Sequence, residues 1–251
     1  MVNRRTLTEF SKKWRQALRI GLQVAASILL TTVVWVLLYR WVAPPATWLM
    51  LERRAHRPAG NYQGLVEDRK IRYSFVSMEE VSPQVPLAMV AAEDQRFLQH
   101  HGFDMDAITK AAKRNMGNGK RLVGGSTITQ QVAKNVFLWN GRSYLRKGAE
   151  AYFTVLIEVL WSKRRILEMY LNVAEMGDCT FGVEAAAQRY FHKSAAQLNK
   201  AEAALLAGIL PNPLRFRASN PGPAARAKQY RVMRNMSRLG GTRFVQPVLE
   251  D

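Results

Sequence analysis

Two adjacent carboxylates, Glu93 and Asp94, are the first side chains in this sequence that could carry acid–base chemistry. They follow an apolar run at residues 87–92, and Arg96 stands within one turn of them. A carboxylate at the end of an apolar helix can be partly desolvated, which raises its pKa toward that of a general base. The alternative is a solvated polar face at a helix end, with Gly102 as the cap that closes it.

Polar and basic side chains recur on two predicted helices further along, in a pattern that favours an anionic ligand. Thr127 and Gln130 form a capping box that opens a helix, whose N-terminus would offer backbone N–H groups to an anion. Lys134 lies four residues after Gln130. Capped helices with a lysine are common, so this pattern alone is a weak signal for a phosphate site. The Walker-type glycine–lysine loop is absent from the sequence.

The second of these helices can be capped by Ser143 and carries Arg146, Lys147 and Glu150 on a polar stripe at helical spacing. Such a stripe is often only a surface ion pair, worth roughly 0.3 kcal/mol. The opposite face is apolar, at positions 145, 149, 153, 156 and 160. We therefore expect that face to pack inward and Glu150 to stand at the edge of a groove.

The composition bounds the class of protein. The 251 residues include 37 Lys and Arg against 19 Asp and Glu, a net charge of +18. This surplus predicts an anionic partner: nucleic acid, an anionic membrane surface or a phosphate-bearing substrate. Cys179 is the single cysteine, which excludes an internal disulfide and a cysteine-rich metal site. His100 and His101 have no third ligand at sensible spacing, so we expect a structural role for them and no protein metal site.

An apolar segment near the N-terminus predicts a membrane anchor. Residues 1–19 are basic, residues 20–38 carry no charge, and Trp35, Tyr39 and Trp41 follow at the far end. The run approaches the ~20 residues that a hydrocarbon core requires, and a cleaved signal peptide would be shorter. Because basic segments stay in the cytoplasm, we divide the chain into a cytoplasmic leader (1–19), a transmembrane anchor (20–41) and an exported domain (42–251).

The exported domain is predicted to be mainly α-helical. Helical spacing recurs over 163–172, 181–191 and 199–210, whereas only residues 70–76 alternate like a strand. A glycine-rich basic segment at 116–125 is either a surface loop or a flap over a groove. An exported domain does not normally meet nucleic acid, and no zinc-finger or RNA-binding signature is present. A phosphorylated or pyrophosphorylated lipid is therefore the expected anion.

Five blocks of sequence stand out in order along the chain. They are Glu93-Asp94-Gln95-Arg96-Phe97 with His101-Gly102-Phe103-Asp104; residues 124–135, which contain Ser126-Thr127-Ile128-Thr129-Gln130-Gln131; Arg146-Lys147-x-x-Glu150; Ile166-Leu167-Glu168-x-Tyr170-Leu171-Asn172; and residues 202–213, which end in Pro211-Asn212-Pro213. Together they resemble the glycosyltransferase family 51 module, the peptidoglycan glycosyltransferase of bacterial cell-wall synthesis. The resemblance covers roughly residues 85–215. Gln95 departs from it, since many members carry a basic residue there.

The resemblance implies a lysozyme-like, mainly α glycosyltransferase domain. Its substrates would be lipid II, an undecaprenyl-pyrophosphoryl disaccharide-pentapeptide, and a growing glycan chain held as donor. Glu93 matches the family's catalytic glutamate, the base for an inverting transfer to the GlcNAc 4-hydroxyl. Glu150 matches the second essential glutamate, which we assign to positioning cations and sugar. The implied substrate contacts are Arg96, Ser126, Gln130, Gln131, Lys134, Arg142, Arg146 and Lys147.

The same resemblance sets the cellular expectations. It implies a bacterial cytoplasmic (inner) membrane enzyme of peptidoglycan synthesis, with membrane lipid and cell-wall synthases or division proteins as partners. No cofactor is required, although Mg²⁺ or Mn²⁺ could bridge the pyrophosphate. No serine has a lysine three residues on, so the transpeptidase often fused to this family is not expected. Two alternatives stay open: a membrane-anchored muramidase or lytic transglycosylase, and a non-catalytic scaffold.

Overall fold

The computed structural model describes residues 4–55, 70–117, 125–141, 143–214, 216 and 218–250. The chain divides into two compact units, Met1–Val42 and Ala43–Asp251. Each unit has its own architecture, one a lone helix and the other a helical domain.

The first unit contains helix α1 (Arg4–Trp41), so residues 4–19 of the predicted leader and the predicted anchor form one continuous helix. Its segment Lys13–Trp41 is long and apolar enough to cross a membrane. Large apolar side chains such as Leu22 and Leu30 are exposed along it, as lipid-facing side chains are in a spanning helix. The helix is consistent with a single-pass anchor.

The second unit is built mainly from α-helices, which confirms the predicted fold class. Its short strands are β1 (Arg72–Tyr73), β2 (Glu175–Gly177) and β3 (Thr180–Phe181). Its helices are α2 (Trp48–Ala55), α3 (Gln84–Glu93), α4 (Met105–Gly117), α5 (Ile128–Phe137), α6 (Tyr144–Leu160), α7 (Lys163–Val173), α8 (Val183–Phe191), α9 (Lys200–Ile209), α10 (Pro223–Arg238) and α11 (Gln246–Leu249).

Helix α3 lies at the centre of this unit. Residues 85–91 are all buried, as expected for a helix that is apolar on every side. Helices α9 and α10 pack against it, and Asn235 Nδ2 of α10 donates a hydrogen bond to the Ala91 carbonyl at 3.1 Å. Gly208 permits the close approach of α10 to α9, because a Cβ there would lie 3.2 Å from the Gln229 backbone nitrogen. The C-terminal end of α3 is thus held in place from behind.

Helices α5, α6 and α7 form the neighbouring layer. Phe137 at the end of α5 stacks on Phe153 of α6, with ring centroids 4.9 Å apart. Ser143 accepts the Arg146 N–H at 3.1 Å, which confirms the predicted cap of α6. Ser162 caps α7 in the same way.

The predicted inward face of α6 is only partly right. Phe153 is buried and positions 149, 156 and 160 are half-buried, but Leu145 is 77% exposed, and the other buried residues are Glu150, Thr154 and Ile157. On the buried side, Glu158, one turn after Thr154, accepts a hydrogen bond from Thr129 of α5. Glu150 is therefore buried in the helix layer and does not stand at a groove edge.

The sheet is small and has the strand order β1-β3-β2. β1 pairs with β3 in parallel, with Arg72 opposite Thr180, and β2 pairs with β3 antiparallel. The predicted strand at 70–76 is shorter than expected, since β1 covers only Arg72–Tyr73 and the backbone of Val76 is hydrogen-bonded to the Asn172 side chain of α7. The Asn172 side chain accepts from the Val76 N–H and donates to the Val76 carbonyl, both at 2.9 Å.

The end of the chain contains a 16-residue helix, α10, that was not predicted from the sequence. One further expectation needs correction. Gly102 does not cap α3, which ends at Glu93 with Asp94 as its C-cap residue. Gly102 lies instead in a turn with φ +84°, and its carbonyl accepts the Thr127 hydroxyl at 2.7 Å.

Candidate active site

Glu93 is the last residue of α3, so a buried apolar helix ends in its carboxylate. The side chain is half-buried, and Gln131 Nε2 of α5 donates a hydrogen bond to Glu93 Oε2 at 2.8 Å. Burial raises the pKa of Glu93 above its ordinary value, while the Gln131 hydrogen bond and the charges of Lys228 and Lys134 lower it. A carboxylate with a raised pKa and one fixed donor is suited to act as a general base.

Asp94 has a different role although it is the next residue. It is 6% exposed, and its Oδ1 lies 2.9 Å from His100 Nε2. Its Oδ2 accepts the Ile128 backbone N–H at 3.0 Å. Since an ionised carboxylate only accepts hydrogen bonds, we assign the proton of this pair to His100 Nε2. Asp94 therefore joins the end of α3 to the start of α5 and gives His100 the structural role expected for it.

A cleft of about 280 Å³ opens beside Glu93 and is lined by the end of α3 and the loop before α5. Arg96 and Ser126, two of the predicted contacts, both line it. Arg96 Nη1 lies 3.2 Å from Asp104 Oδ1 and also pairs with Asp106, which holds the guanidinium at the cleft wall. A ligand in this cleft would meet the Glu93 carboxylate and an arginine together.

A second cluster of charges surrounds Glu150 on α6. Arg146 Nη1 lies 2.7 Å from Glu150 Oε2, and Lys147 Nζ pairs with Oε1. Glu150 is only 3% exposed, whereas the Lys147 side chain is 49% exposed. Both carboxylate oxygens are engaged, so the buried Glu150 orients two cations of the preceding turn. The cluster keeps a surplus of positive charge.

Lys134 of α5 adds a further positive charge near this cluster. Its side chain is exposed, yet the protein packed around its base lowers its pKa through desolvation. Glu150 and Glu175 act in the opposite direction, while Arg146 and Lys147 also lower it. No ion pair of Lys134 occurs among the residues that the structure describes.

Helix α5 connects the two halves of the site. Gln131 bonds to Glu93, and Lys134, three residues later, is electrostatically coupled to Glu150. One helical turn advances the chain by about 5.4 Å, so the base and the cations belong to one site. The arrangement can remove a proton from a hydroxyl group and stabilise negative charge on a leaving group. In the described part of the chain, no group of three or more His, Cys, Asp or Glu residues could hold a metal ion.

Known proteins are similar to this chain over most of its length and of theirs. The sequence model of the family described as Transglycosylase matches residues 61–237. The chain belongs to the transglycosylase family. A biosynthetic peptidoglycan transglycosylase of Klebsiella oxytoca is 48% identical over 241 residues, covering 94% of this chain and 96% of the relative. The protein of the same name from Shigella boydii serotype 4 is 52% identical over 207 residues, covering 82% and 84%.

Within this transglycosylase, most of the predicted site residues lie either at the cleft beside Glu93 or at the cation cluster around Glu150. Glu93, Arg96, Ser126 and Gln131 lie at the cleft or contact Glu93. Those at the cation cluster are Lys134, Arg146, Lys147 and Glu150. Arg142 lies outside the described residues, as does the stretch 118–124 of the predicted flap.

Gln130 differs from the other predicted contacts. It is 5% exposed, and its Oε1 accepts the Thr127 backbone N–H at 3.0 Å, which confirms the predicted capping box. Its side chain thus stabilises the start of α5. We assign Gln130 to helix capping, one residue before the amide that contacts Glu93.

Contacts within the protein account for the N–H groups at the N-terminus of α5, where the sequence alone was only a weak signal for a phosphate site. The Ile128 N–H donates to Asp94 Oδ2, and the Gln130 N–H donates to Thr127 Oγ1 at 3.3 Å. A carboxylate of the protein therefore occupies the place that a phosphate would take. The cations of α5 and α6, and not this helix end, are left to bind an anion.

Lys228 is a residue at the site that sequence reasoning missed. It is half-buried on α10, its Nζ lies 4.2 Å from the Phe216 ring centroid, and its positive charge lowers the pKa of Glu93. The signal was Pro223 at the first helical turn, followed by buried residues at 225, 232 and 236. Those positions are seven and four residues apart, a helical spacing that would have revealed the helix.

Proposed function

We propose that this transglycosylase polymerises lipid II into glycan strands. The growing chain would be transferred, with inversion, from undecaprenyl pyrophosphate to the GlcNAc 4-hydroxyl of lipid II. The observation that carries the proposal is the pairing, through α5, of a carboxylate of raised pKa with a cluster of cations held by Glu150. The relatives are named biosynthetic peptidoglycan transglycosylases, which supports synthesis of glycan and not its cleavage.

Glu93 is the general base of this proposal. As the acceptor oxygen attacks donor C1, its proton passes to the Glu93 carboxylate, and the bond from C1 to the pyrophosphate oxygen breaks. Proton removal by a positioned base typically contributes about 10²–10⁴-fold to the rate. The Gln131 N–H orients the carboxylate and favours its ionised form.

The cations act on the leaving group. A pyrophosphate gains negative charge as its bond to C1 breaks, so fixed positive charges stabilise the transition state more than the ground state. Lys134, Arg146 and Lys147 supply those charges, with Arg142 as a further predicted contact. Both oxygens of Glu150 are engaged by cations, which supports a positioning role and argues against acid catalysis.

A divalent cation bound by the protein does not fit the residues of the cation cluster. Glu150 is its buried carboxylate, and both of its oxygens already face Arg146 and Lys147. Any Mg²⁺ or Mn²⁺ would therefore arrive with the pyrophosphate as part of the substrate. The proposed steps run through the protein side chains alone.

The proposal extends to location and partners. The α1 anchor would hold the enzyme in the bacterial cytoplasmic (inner) membrane with its N-terminus in the cytoplasm, beside its lipid-linked substrate. Membrane lipid, cell-wall synthases and division proteins are the proposed partners. The absence of a Ser-x-x-Lys motif supports a monofunctional enzyme without transpeptidase activity.

The decisive experiment is incubation of the purified protein with fluorescent lipid II, followed by digestion of the products with muramidase. We expect a polymer that muramidase degrades. Untouched lipid II together with shortening of preformed glycan would favour the lytic alternative, and no reaction with either substrate would favour the scaffold. A lytic enzyme acts on glycan that carries no pyrophosphate, so the cation cluster would have no such group to bind.

Two substitutions assign the roles in that assay. Glu93→Gln should lower kcat by about 10²–10⁴-fold, because the amide cannot accept the proton. Arg146→Ala should lower kcat far more than Arg231→Ala, its control on the exposed face of α10. A Glu93→Gln variant as fast as the parent would remove Glu93 from the base role. Equal losses for the two arginine variants would indicate general electrostatics.

A further inference from the structure

Arg53 of α2 makes a two-point contact that none of the five sequence blocks contains. Its Nε lies 2.7 Å from Glu175 Oε1 of β2, and its Nη2 lies 2.9 Å from Glu175 Oε2. The side chains are only 16% and 9% exposed. Arg53 also precedes residues 61–237, which the family model matches. A planar guanidinium that binds both carboxylate oxygens fixes the carboxylate in one orientation.

Glu175 lies within electrostatic reach of Lys134, and each affects the pKa of the other. Burial raises the pKa of Glu175, and the nearby Asp178 adds to this, while Arg53 and Lys134 lower it. Burial lowers the pKa of Arg53, while Glu175, Glu52 and Cys179 raise it. The other charged groups near Lys134 are Arg146, Lys147 and Glu150 of α6 and Glu93 of α3, whose pKa Lys134 lowers.

Two of the three carboxylates near Lys134 therefore already have cationic partners, and the third, Glu93, accepts the Gln131 amide. Glu150 pairs with Arg146 and Lys147, and Glu175 pairs with Arg53. Lys134 has no ion pair within the described ranges, although two carboxylates act on its pKa. A lysine in this situation keeps its donors for an incoming anion.

We propose that Arg53 is a positioning residue that keeps Glu175 from capturing Lys134. Held by both oxygens, Glu175 cannot turn toward the lysine, and Lys134 remains able to bind the pyrophosphate of the lipid-linked substrate. This inference rests on the proposed function, since it takes Lys134 as a pyrophosphate contact. It makes α2 part of the substrate site although α2 carries none of the catalytic side chains.

Binding of inorganic pyrophosphate to the full-length protein, followed by calorimetry, tests this inference without requiring turnover. The Arg53→Ala variant should bind pyrophosphate about tenfold more weakly, the size expected when a charged hydrogen-bond donor is lost to a competitor. With lipid II as substrate, KM should rise more than kcat falls.

The pH dependence gives a readout that a structural role would not move. In Arg53→Ala, Glu175 competes for Lys134 only when its carboxyl is ionised. The defect should therefore grow as pH rises through the pKa of Glu175, which loss of Arg53 raises further, and should disappear below it. The parent's pyrophosphate affinity should show no such change with pH, because Arg53 holds Glu175 away from Lys134 both below and above the pKa of Glu175.

A second-site variant and a matched control make the test specific. Arg53→Ala combined with Glu175→Gln should recover the parent's pyrophosphate affinity, because the competing carboxylate is gone. Arg165→Ala removes an arginine of similar burial, 13% exposed, from its pair with Glu168 on α7. That control should lose thermal stability without losing pyrophosphate affinity.

The outcomes separate this inference from the proposed function. Parent-like pyrophosphate affinity in Arg53→Ala, or a double variant no better than the single one, would overturn the inference. If Arg53→Ala does not fold, Arg53→Lys replaces it, and a parent-like affinity there has the same meaning because lysine cannot bind both oxygens. If the parent binds pyrophosphate but leaves lipid II unchanged, it is the proposed function that fails.

Discussion

At the scale of single residues, neighbouring carboxylates acquire opposite tasks from their contacts. Glu93 receives one amide donor and faces a cleft, whereas Asp94 receives a backbone N–H and an imidazole and is buried. Glu93 has a single hydrogen-bond donor, so its carboxylate can still take a proton. Both oxygens of Asp94 accept hydrogen bonds, which makes Asp94 a fixed link between α3 and α5.

The Gln131 contact gives the first prediction, a shift in pH dependence. The base must be ionised to act, so activity is lost as pH falls through the pKa of Glu93, which burial has raised. The Gln131 hydrogen bond lowers that pKa, so Gln131→Leu should move the acidic limb of kcat/KM to higher pH. Gln188→Leu, an exposed glutamine on α8, is the control and should leave the limb in place. A limb that stays put in Gln131→Leu would contradict the assignment.

A pair of glycines gives the second prediction, measured by denaturant unfolding. Gly102 has φ +84°, and a Cβ there would lie 2.6 Å from Thr154 Cγ2. Gly102→Ala should therefore cost about 1–3 kcal/mol of stability. Gly148→Ala, inside α6 with nothing within 4 Å, should add about 0.5–1 kcal/mol. Equal effects of the two changes would disprove the close packing at Gly102.

At the scale of elements, α5 decides the layout of the site. Its first N–H is bound by Asp94, its first turn is closed by the capping box, and its middle presents Gln131 and Lys134. A helix fixed so firmly at its start holds the later side chains in a defined register. The separation between base and cations therefore depends on the contacts at the helix start.

The Asp94 link gives the third prediction. Asp94→Ala would leave the His100 imidazole and the Ile128 N–H without their partner, and should cost about 3 kcal/mol. Activity should fall as well, because α5 would no longer be tied to the end of α3. Asp106→Ala, an exposed carboxylate that also pairs with Arg96, should cost less than about 1 kcal/mol. Chemical denaturation of the three proteins compares these values directly.

Elements marked by local chemistry could be predicted from the sequence. The apolar run before Glu93, the Thr127 capping box and the Ser143 cap all lie where residue types predict. The orientation of α6 could be predicted only in part, because hydrophobic spacing placed Phe153 inside correctly but also placed Leu145 there, which is exposed. Thr154 and Glu158 make long-range contacts on the buried side that the spacing does not show.

The candidate site could likewise be predicted only in part. Its residue types were visible in the motifs, but the partner of each side chain depends on tertiary contacts. The link from Asp94 to Ile128 spans 34 positions and that from Arg53 to Glu175 spans 122. No local pattern reports contacts of that length, so the sequence could not show that Asp94 of the protein itself binds the start of α5.

At the scale of the whole molecule, the C-terminal part of the chain carries positive charge that no nearby acid in the sequence balances. Residues 203–249 contain no Asp or Glu and eight Lys or Arg. Four of the arginines, at positions 226, 231, 234 and 238, are exposed on α10. Such a surface attracts anions at low salt and is screened within about 10 Å at 0.1 M ionic strength.

The proposed topology gives the fourth prediction. Cys179 is buried, so a cysteine introduced elsewhere can be labelled against a low background. A membrane-impermeant maleimide should label a Tyr230→Cys variant in intact spheroplasts, because Tyr230 is 68% exposed in the domain proposed to be exported. A Gln16→Cys variant should react only after the membrane is permeabilised. Labelling of Gln16→Cys in intact spheroplasts would reverse the topology.

The adjacency of Glu93 and Asp94 also constrains how this protein can diverge. Glu93 ends α3 and Asp94 follows it as the C-cap residue, so deleting one residue from α3 would bring Asp94 to the place of Glu93 at the cleft, and inserting one would bring Ala92 there. Substitutions in α3 can be absorbed one at a time, but either change in its length would remove Glu93 from its position in a single step. We therefore expect length variation among descendants of this chain to fall in its loops and to spare the ten residues of α3.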